Sequence, residues 1–209
     1  METFYIPVLL GSVRRNRESI KVARFALDCL QQLGCARTEL LDLKEMNLPI
    51  MEERLRFHND PPPEVILFGA KVRQADSLLI VTPEYSGGYP GALKNALEYL
   101  KDEYRHKPFG IITVSAVETG GILCLVSLRQ VVLQMGGLPI PASLLVSRVQ
   151  EAFDSQGRPS DPAFVKRAKA YFDELLWFTE ALAAQRKKSS GTDLGKDSHN
   201  RKRDTAAGI

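Results

Sequence analysis

Residues 77–100 read SLLIVTPEYSGGYPGALKNALEYL, and this stretch decides the fold. Its first residues, Ser77 to Val81, form an apolar run typical of a strand that is buried on both faces. From Gly91 to Leu100 the spacing becomes that of a helix, with one apolar face made by Leu93, Ala96, Leu97 and Leu100. The loop between them is rich in glycine, proline and tyrosine. A strand, a loop and a helix in this order indicate an α/β protein with a parallel sheet.

The same alternation continues through the rest of the chain. Strands are predicted at 4–10, 38–43, 77–81, 109–114 and 144–149. Helices are predicted at 19–33, 64–75, 91–100 and 121–135, and a last helix begins at Pro162 with Asp161 as its N-cap. The form of the segment from 44 to 63 is left open. Five strands alternating with helices predict one α/β domain with a doubly wound five-stranded parallel sheet, in the order 2-1-3-4-5.

Composition places the chain among ordinary globular proteins, since 44% of its residues are hydrophobic and 25% are charged. No apolar run approaches the roughly 18 residues that span a bilayer, and the first residues lack the pattern of a secretory signal. The three cysteines have neither metal-ligand nor disulfide-framework spacing: Cys29, Cys35 and Cys124. We therefore expect buried free thiols, a cytoplasmic location and no membrane partner.

The charge is unevenly distributed along the chain. Residues 186–209 carry seven Lys/Arg and three Asp/Glu, within a formal net charge of +3 for the whole sequence. This segment is poor in large apolar side chains, which predicts a disordered basic tail after a folded domain at 1–185. Its cluster Arg201 to Arg203 is compatible with a nucleic-acid contact or a targeting signal. The near-neutral body argues against a dedicated nucleic-acid binder.

The first predicted strand ends in a loop suited to an anion. It reads GSVRRNRES from Gly11 to Ser19 and is followed at once by a helix. Backbone amides at a helix N-terminus favour anions, and hydroxyl and guanidinium groups can bind phosphate. The candidate phosphate ligands are Ser12, Arg14, Arg17 and Ser19. Neither the Walker A spacing nor the GxGxxG fingerprint is present, and a basic surface loop with a serine helix cap is the alternative.

Two further loops follow the third and fourth strands. The third-strand loop holds Pro83, Glu84, Tyr85 and Ser86, and the fourth begins with Ser115. In the predicted strand order these loops and the phosphate loop meet at one edge of the sheet, beside the topological switch point. A phosphate site next to flat walls predicts a mononucleotide with a planar ring, and flavin mononucleotide (FMN) has that chemistry. The alternative is that the tyrosines simply cover the sheet edge.

The segments GSVRRNRES and TPEYSGGYPGALKNALEYL resemble the two signature segments of the NADPH-dependent FMN reductase family, a flavodoxin-like group that includes quinone, chromate and azo reductases. The resemblance in element order covers about residues 4 to 185. It implies an oxidoreductase in which NADPH, or NADH, reduces bound FMN at its N5 atom. The flavin then reduces a small acceptor in a ping-pong cycle, and the acceptor can be a quinone, a flavin, an azo compound or a metal oxyanion.

The resemblance also implies roles for individual residues. The four residues of the phosphate loop would hold the FMN phosphate, Pro83 to Ser86 would border the flavin ring, and Ser115 would close the other side. Catalytic side chains and a protein-bound metal are not implied, because the flavin carries the chemistry. The chain departs from the family pattern at Ser86, where Asn is common, and at 117–119, where smaller residues are common.

Assembly and alternative functions complete the expectations. The predicted helix 121–135 is apolar on several sides, which indicates deep burial or contact with a partner chain. The resemblance implies a homodimer or homotetramer, with this helix as the candidate interface. Two other functions are a flavodoxin-type electron carrier and a non-catalytic flavin-binding interaction protein. Flavodoxin-type carriers are usually strongly acidic, which the near-neutral body disfavours.

Overall fold

The computed structural model describes residues 3–192, and a parallel sheet runs through the centre of this region. The strands pair in the order β4-β2-β5-β6-β7, and β8 pairs with β6. Every one of these pairs is parallel. Their bounds are β2 Val8–Leu10, β4 Leu40–Asp42, β5 Leu78–Pro83, β6 Pro108–Val114, β7 Leu138–Pro139 and β8 Leu144–Val146. The predicted α/β class is confirmed.

Three predicted strands are shorter or more divided than expected. The second, predicted at 38–43, spans only Leu40–Asp42 as β4. The first is split by Pro7 into β1 (Phe4–Tyr5) and β2, because proline has no N–H to donate to the ladder. β1 pairs with β3 (Ala36–Arg37), separately from the main sheet. The fifth ends at Val146 rather than residue 149, since Arg148 takes a left-handed φ of 43°.

The predicted helices are all present, with ends that differ by one or two residues except at the C-terminus. The short helix α2 (Leu43–Met46) occupies part of the segment whose form was left open. The other helices are α1 Ser19–Gln32, α3 Pro63–Gln74, α4 Gly91–Glu98, α5 Ile122–Gln134, α6 Val149–Ala152 and α7 Pro162–Thr192. No helix in residues 3–192 is both long enough and apolar enough to cross a membrane.

The sheet separates two apolar cores. Alternate residues of β5 face opposite ways, so Leu79 and Val81 pack with α1 and α7. Leu78 and Ile80 pack on the other side with α3, α4 and α5. Both faces of the central strands are therefore covered, which matches their near-continuous apolar sequence.

The last helix corrects part of the tail prediction. It begins as expected, with Asp161 Oδ1 accepting the Ala163 N–H at 2.8 Å. It then continues to Thr192, and Arg186 donates to the carbonyls of His106 and Asp76, each at 2.8 Å. Residues 186–192 are therefore part of the last helix, and Arg186 joins this part of the helix to the domain. The rest of the predicted tail, with its basic cluster, lies outside the described residues.

Candidate functional site

A cleft of about 380 Å³ lies beyond the carboxyl ends of β2, β5 and β6. In parallel sheets this edge, near a topological switch point, is where ligands bind. The three loops that the sequence singled out meet here. The predicted site residues on its wall are Arg14, Arg17, Ser19, Pro83, Glu84, Tyr85 and Ser115. Ser12 and Ser86 do not line the cleft. Val149 and Gln150, from the short helix α6, line it and were not expected from the sequence.

One end of the cleft offers hydrogen-bond donors that lack a partner. Ser19 is the first residue of α1 and is 2% exposed, and its Oγ has no hydrogen-bond partner in the described residues. Arg17 Nη1 is buried and unpartnered in the same way. The preceding residue, Glu18, makes no side-chain cap on α1. Buried donors are nearly always satisfied, so this end of the cleft has the chemistry of an anion site.

Asp42 orients Arg17 and was not predicted from the sequence. It ends β4, it is buried, and its Oδ2 accepts a hydrogen bond from Arg17 Nη2. Its Oδ1 caps α2 by accepting the Lys44 N–H at 3.0 Å. Arg17 is thereby held with one amino group on Asp42 and the other free for a ligand. The only sequence signal was a carboxylate at the end of the second predicted strand.

Ser12 supports the cleft from behind. It is fully buried, and its Oγ lies 2.8 Å from the Tyr85 hydroxyl. The Arg14 N–H also points to this oxygen, at 3.4 Å, and the Arg14 guanidinium lies 6.0 Å from the centroid of the Tyr85 ring. The hydrogen bond therefore ties the phosphate loop to the third-strand loop. Ser12 keeps Tyr85 in place and does not itself face the cleft.

A tight turn shapes the far side of the third-strand loop. Tyr85 and Gly88 exchange two backbone hydrogen bonds of 2.8 and 3.0 Å. The central residues, Ser86 and Gly87, have φ values of 51° and 79°, so both are left-handed, as in a type I′ turn. Ser86 lies at the tip of this turn, which explains why its side chain is not on the cleft wall.

Glu84 connects the cleft to α5. Its Oε2 accepts the Cys124 N–H at 3.0 Å, in the first turn of α5, while its own N–H donates to Val114. A carboxylate at this position stabilises the positive end of a helix dipole. Burial, together with the charge of Glu84, raises the pKa of Cys124 to about 12. The Cys124 thiol is therefore protonated at neutral pH and is not a nucleophile.

The fourth loop closes the cleft with a small polar turn. Ser115 is buried, and its Oγ accepts the Val117 N–H at 3.1 Å. Glu118 does not line the cleft, and its carboxylate pairs with Arg148 on the surface. The residues at 117–119 that depart from the family pattern therefore project away from the wall made by Ser115 and Ala116.

Other polar residues of the sequence have structural partners outside the cleft. Asn95 accepts the Met51 N–H at 2.8 Å and donates to the Pro49 carbonyl at 2.6 Å, so it holds the loop after α2. Lys94 pairs with Glu98 one turn later. Cys124 is buried as expected, whereas Cys29 and Cys35 are half-buried, which corrects the expectation for these two thiols.

Comparison with known proteins finds a matching family model and several relatives. The model of a family described as NADPH-dependent FMN reductase matches residues 5–151. A quinone reductase of Pseudomonas putida is 29% identical over 168 residues, which cover 77% of this chain and 87% of that protein. An NAD(P)H-dependent FMN reductase of Schizosaccharomyces pombe is 31% identical over 186 residues, covering 87% of this chain and 85% of that protein.

A solved structure supports the fold. FerB, a flavoenzyme NAD(P)H:(acceptor) oxidoreductase from Paracoccus denitrificans, superposes with a TM-score of 0.71 at 24% sequence identity. The match covers 86% of this chain and 98% of FerB.

Proposed function

Because this chain belongs to the NADPH-dependent FMN reductase family, we propose that it transfers reducing equivalents from NADPH or NADH to a small acceptor, with FMN in the cleft. The observation that supports this best is the convergence of unpartnered donors and a flat wall in one cleft. Ser19 Oγ and Arg17 Nη1 are at one end, and Tyr85 and Ser115 are on the walls. A mononucleotide with a planar ring matches both parts.

The phosphate end would be formed by three residues of the first loop. Ser19 and Arg17 would donate to phosphate oxygens from Oγ and Nη1, and the unpaired amides of the first turn of α1 would add their dipoles. Arg14, at the mouth of the cleft, would supply a second guanidinium. Ser12 would act indirectly, through its hydrogen bond to Tyr85.

The ring end would be formed by Pro83, Glu84 and Tyr85 on one side and by Ser115 with Ala116 on the other. The carboxylate of Glu84 accepts a hydrogen bond from the Cys124 N–H of α5, so the backbone and methylene groups of Glu84 would contact the ring. Ser86 would contribute through its place in the turn that shapes this wall. Bound FMN supplies the redox chemistry. The protein would orient it and leave one side open for the coenzyme and the acceptor in turn, as a ping-pong cycle requires.

A quinone-type acceptor is the form of this activity that we favour. The relatives that cover most of this chain include the quinone reductase of Pseudomonas putida. The reduction of a quinone needs no protein nucleophile. This is consistent with a protonated Cys124 and with the positions of His58 and His106, which do not line the cleft. The three free thiols suit a reducing cytoplasm.

We further propose a homodimer that forms through α5. One side of this helix packs on the sheet, while the other exposes four large apolar side chains. Three of them have the helical spacing i, i+3, i+10: Leu123, Val126 and Leu133. Their side chains are 58%, 60% and 58% exposed. An apolar stripe of this kind on a monomer marks an association surface, and a two-fold axis would make it self-complementary.

The proposed function is tested first by FMN binding. FMN titrated into the apoprotein should bind at one site per chain, with quenching of its fluorescence. Ser19→Ala should weaken binding by about tenfold or more, because a hydrogen bond to a charged group is worth about 1.5–3 kcal/mol. Ser127→Ala is the matched control, since that hydroxyl donates to a carbonyl within α5 and lies away from the cleft.

Turnover distinguishes an enzyme from an electron carrier. The FMN-loaded protein should oxidise NADPH steadily when a quinone is present, with parallel lines in double-reciprocal plots. A protein that binds FMN but oxidises no NADPH would be a carrier or an interaction protein. If no FMN stays bound to the protein after the titration, the whole proposal is contradicted.

A further inference from the structure

A second hollow of about 740 Å³ lies beside the cleft, on the other side of the phosphate loop. Its walls come from the phosphate loop, from α2 with the residues that follow it, and from the first half of α4. The lining residues are Val13, Leu43, Lys44, Asn47, Leu48, Ile50, Gly91, Ala92 and Asn95. It shares no lining residue with the FMN cleft.

The lining of this hollow combines apolar faces with a single cation. Val13 is 44% exposed and Ile50 is 86% exposed, so both offer apolar surface to a ligand in this hollow. Lys44 is exposed and forms no ion pair with a carboxylate in residues 3–192. The carboxamide of Asn47 adds a polar group beside it. Such a surface suits a flat, partly apolar molecule that carries a negative charge.

The second hollow and the FMN cleft are linked by neighbouring residues of the phosphate loop and by Asp42. Val13 lines the second hollow, and the next residue, Arg14, lines the cleft. Asp42 binds Arg17 of the cleft with one carboxylate oxygen and caps the helix of Lys44 with the other. A ligand that extends out of the cleft over the phosphate loop would therefore reach Lys44.

We propose that this second hollow binds the adenosine 2′-phosphate end of NADPH, with Lys44 as the residue that selects NADPH over NADH. The inference rests on the proposed function, which requires a dinucleotide coenzyme to enter beside the FMN cleft. Val13 and Ile50 would pack on the adenine, and Lys44 would pair with the 2′-phosphate. NADH lacks that phosphate and would gain nothing from Lys44.

The test uses FMN-loaded protein, so that the cleft is filled, and two fragments of the coenzymes. Calorimetry should give adenosine 2′,5′-bisphosphate a Kd about tenfold lower than that of adenosine 5′-monophosphate, as expected of a charge-assisted pair. Lys44→Gln should abolish this preference. In turnover the same variant should raise the KM for NADPH by about tenfold and leave the KM for NADH unchanged.

Two further variants make the result specific. Lys166→Gln removes an exposed lysine from α7 and should keep the preference for the bisphosphate. Ile50→Ser changes a side chain that is 86% exposed, so the protein should fold, and both fragments should bind several-fold more weakly.

Three outcomes would overturn the inference. They are equal affinity of wild-type protein for both fragments, an unchanged preference in Lys44→Gln, and a Lys44→Gln effect confined to the KM of the acceptor. The last would assign the hollow to the acceptor. If the protein fails to retain FMN, the proposed function fails and this inference fails with it. If it retains FMN and oxidises NADPH, these three results bear on the hollow alone.

Discussion

At the scale of single residues, the turn at Ser86 is under conformational constraint. Ser86 and Gly87 are both left-handed, a conformation that costs a non-glycine residue about 1–2 kcal/mol unless its side chain tolerates it. Asn and Gly are the residues that type I′ turns favour. Ser86 is therefore less suited to this turn than Asn or Gly would be, because of its left-handed backbone.

Ser86→Asn should raise the free energy of unfolding by roughly 0.5–1 kcal/mol, because Asn adopts the left-handed region more readily. Urea denaturation of the apoprotein would measure this. Gly87→Ala is the opposing control and should destabilise the protein by about 1–2 kcal/mol, since its φ is 79°. A Ser86→Asn variant less stable than wild type would show that the side chain has a contact of its own.

At the scale of elements, α5 is connected to the cleft on one side and is unpartnered on the other. Glu84 caps its first turn from the wall of the cleft, and Leu123 and Val126 are exposed on its outer face. This one helix therefore links the two proposals about FMN and assembly, and each can be tested by a separate substitution.

Glu84→Ala should lower the free energy of unfolding by about 1–2 kcal/mol, because the Cys124 N–H loses its charged acceptor. Glu84→Gln keeps an acceptor oxygen and should cost less than half as much. Urea denaturation of both variants, with FMN titration in parallel, would measure the effects. Equal losses in the two variants would mean that the charge matters and the hydrogen bond does not.

Val126→Asp should convert the proposed dimer to a monomer, because it places a charge in the middle of the apolar stripe on α5. Light scattering after size exclusion would give the mass. Val165→Asp is the matched control, since Val165 is 44% exposed on α7. If wild-type protein is monomeric at micromolar concentration, or if both variants behave alike, the α5 interface is wrong.

At the scale of the whole molecule, a charged network holds the edge of the sheet opposite the cleft. Glu39 accepts hydrogen bonds from Tyr5 and Lys71, each at 2.5 Å, and so joins β1 to α3. Burial opposes the ionisation of Glu39, but these hydrogen bonds and the charges of Lys71 and Arg37 outweigh it. The pKa of Glu39 is therefore lowered.

This shift predicts how stability depends on pH. A carboxyl with a lowered pKa in the folded state contributes stability above its unfolded pKa of about 4.3, and the contribution is lost as the pH falls through the folded value. The difference in unfolding free energy between wild type and Glu39→Gln should thus be largest above about pH 5 and shrink in acid. Urea denaturation from pH 7 to 3 measures it, with Glu180→Gln, an exposed α7 substitution, as the control. A constant difference would contradict the network.

The sequence by itself determined the α/β alternation, the five strand regions, the N-cap of the last helix and the loops that form the cleft. These features follow from patterns within a few residues: apolar runs, helical spacing, and glycine or proline at turns. Seven of the nine predicted site residues line one cleft because the loops after parallel strands meet at one edge. Their roles in binding FMN stay predictions.

Only the tertiary structure decided which partner each polar group has. Ser12 meets Tyr85 across 73 residues, Glu84 meets Cys124 across 40, and Arg17 meets Asp42 across 25. It also decided that one side of α5 is exposed, that the last helix runs past Arg186, and that a second hollow adjoins the first. Contacts of this range depend on how the helices pack on the sheet, and no local pattern in the chain specifies that packing.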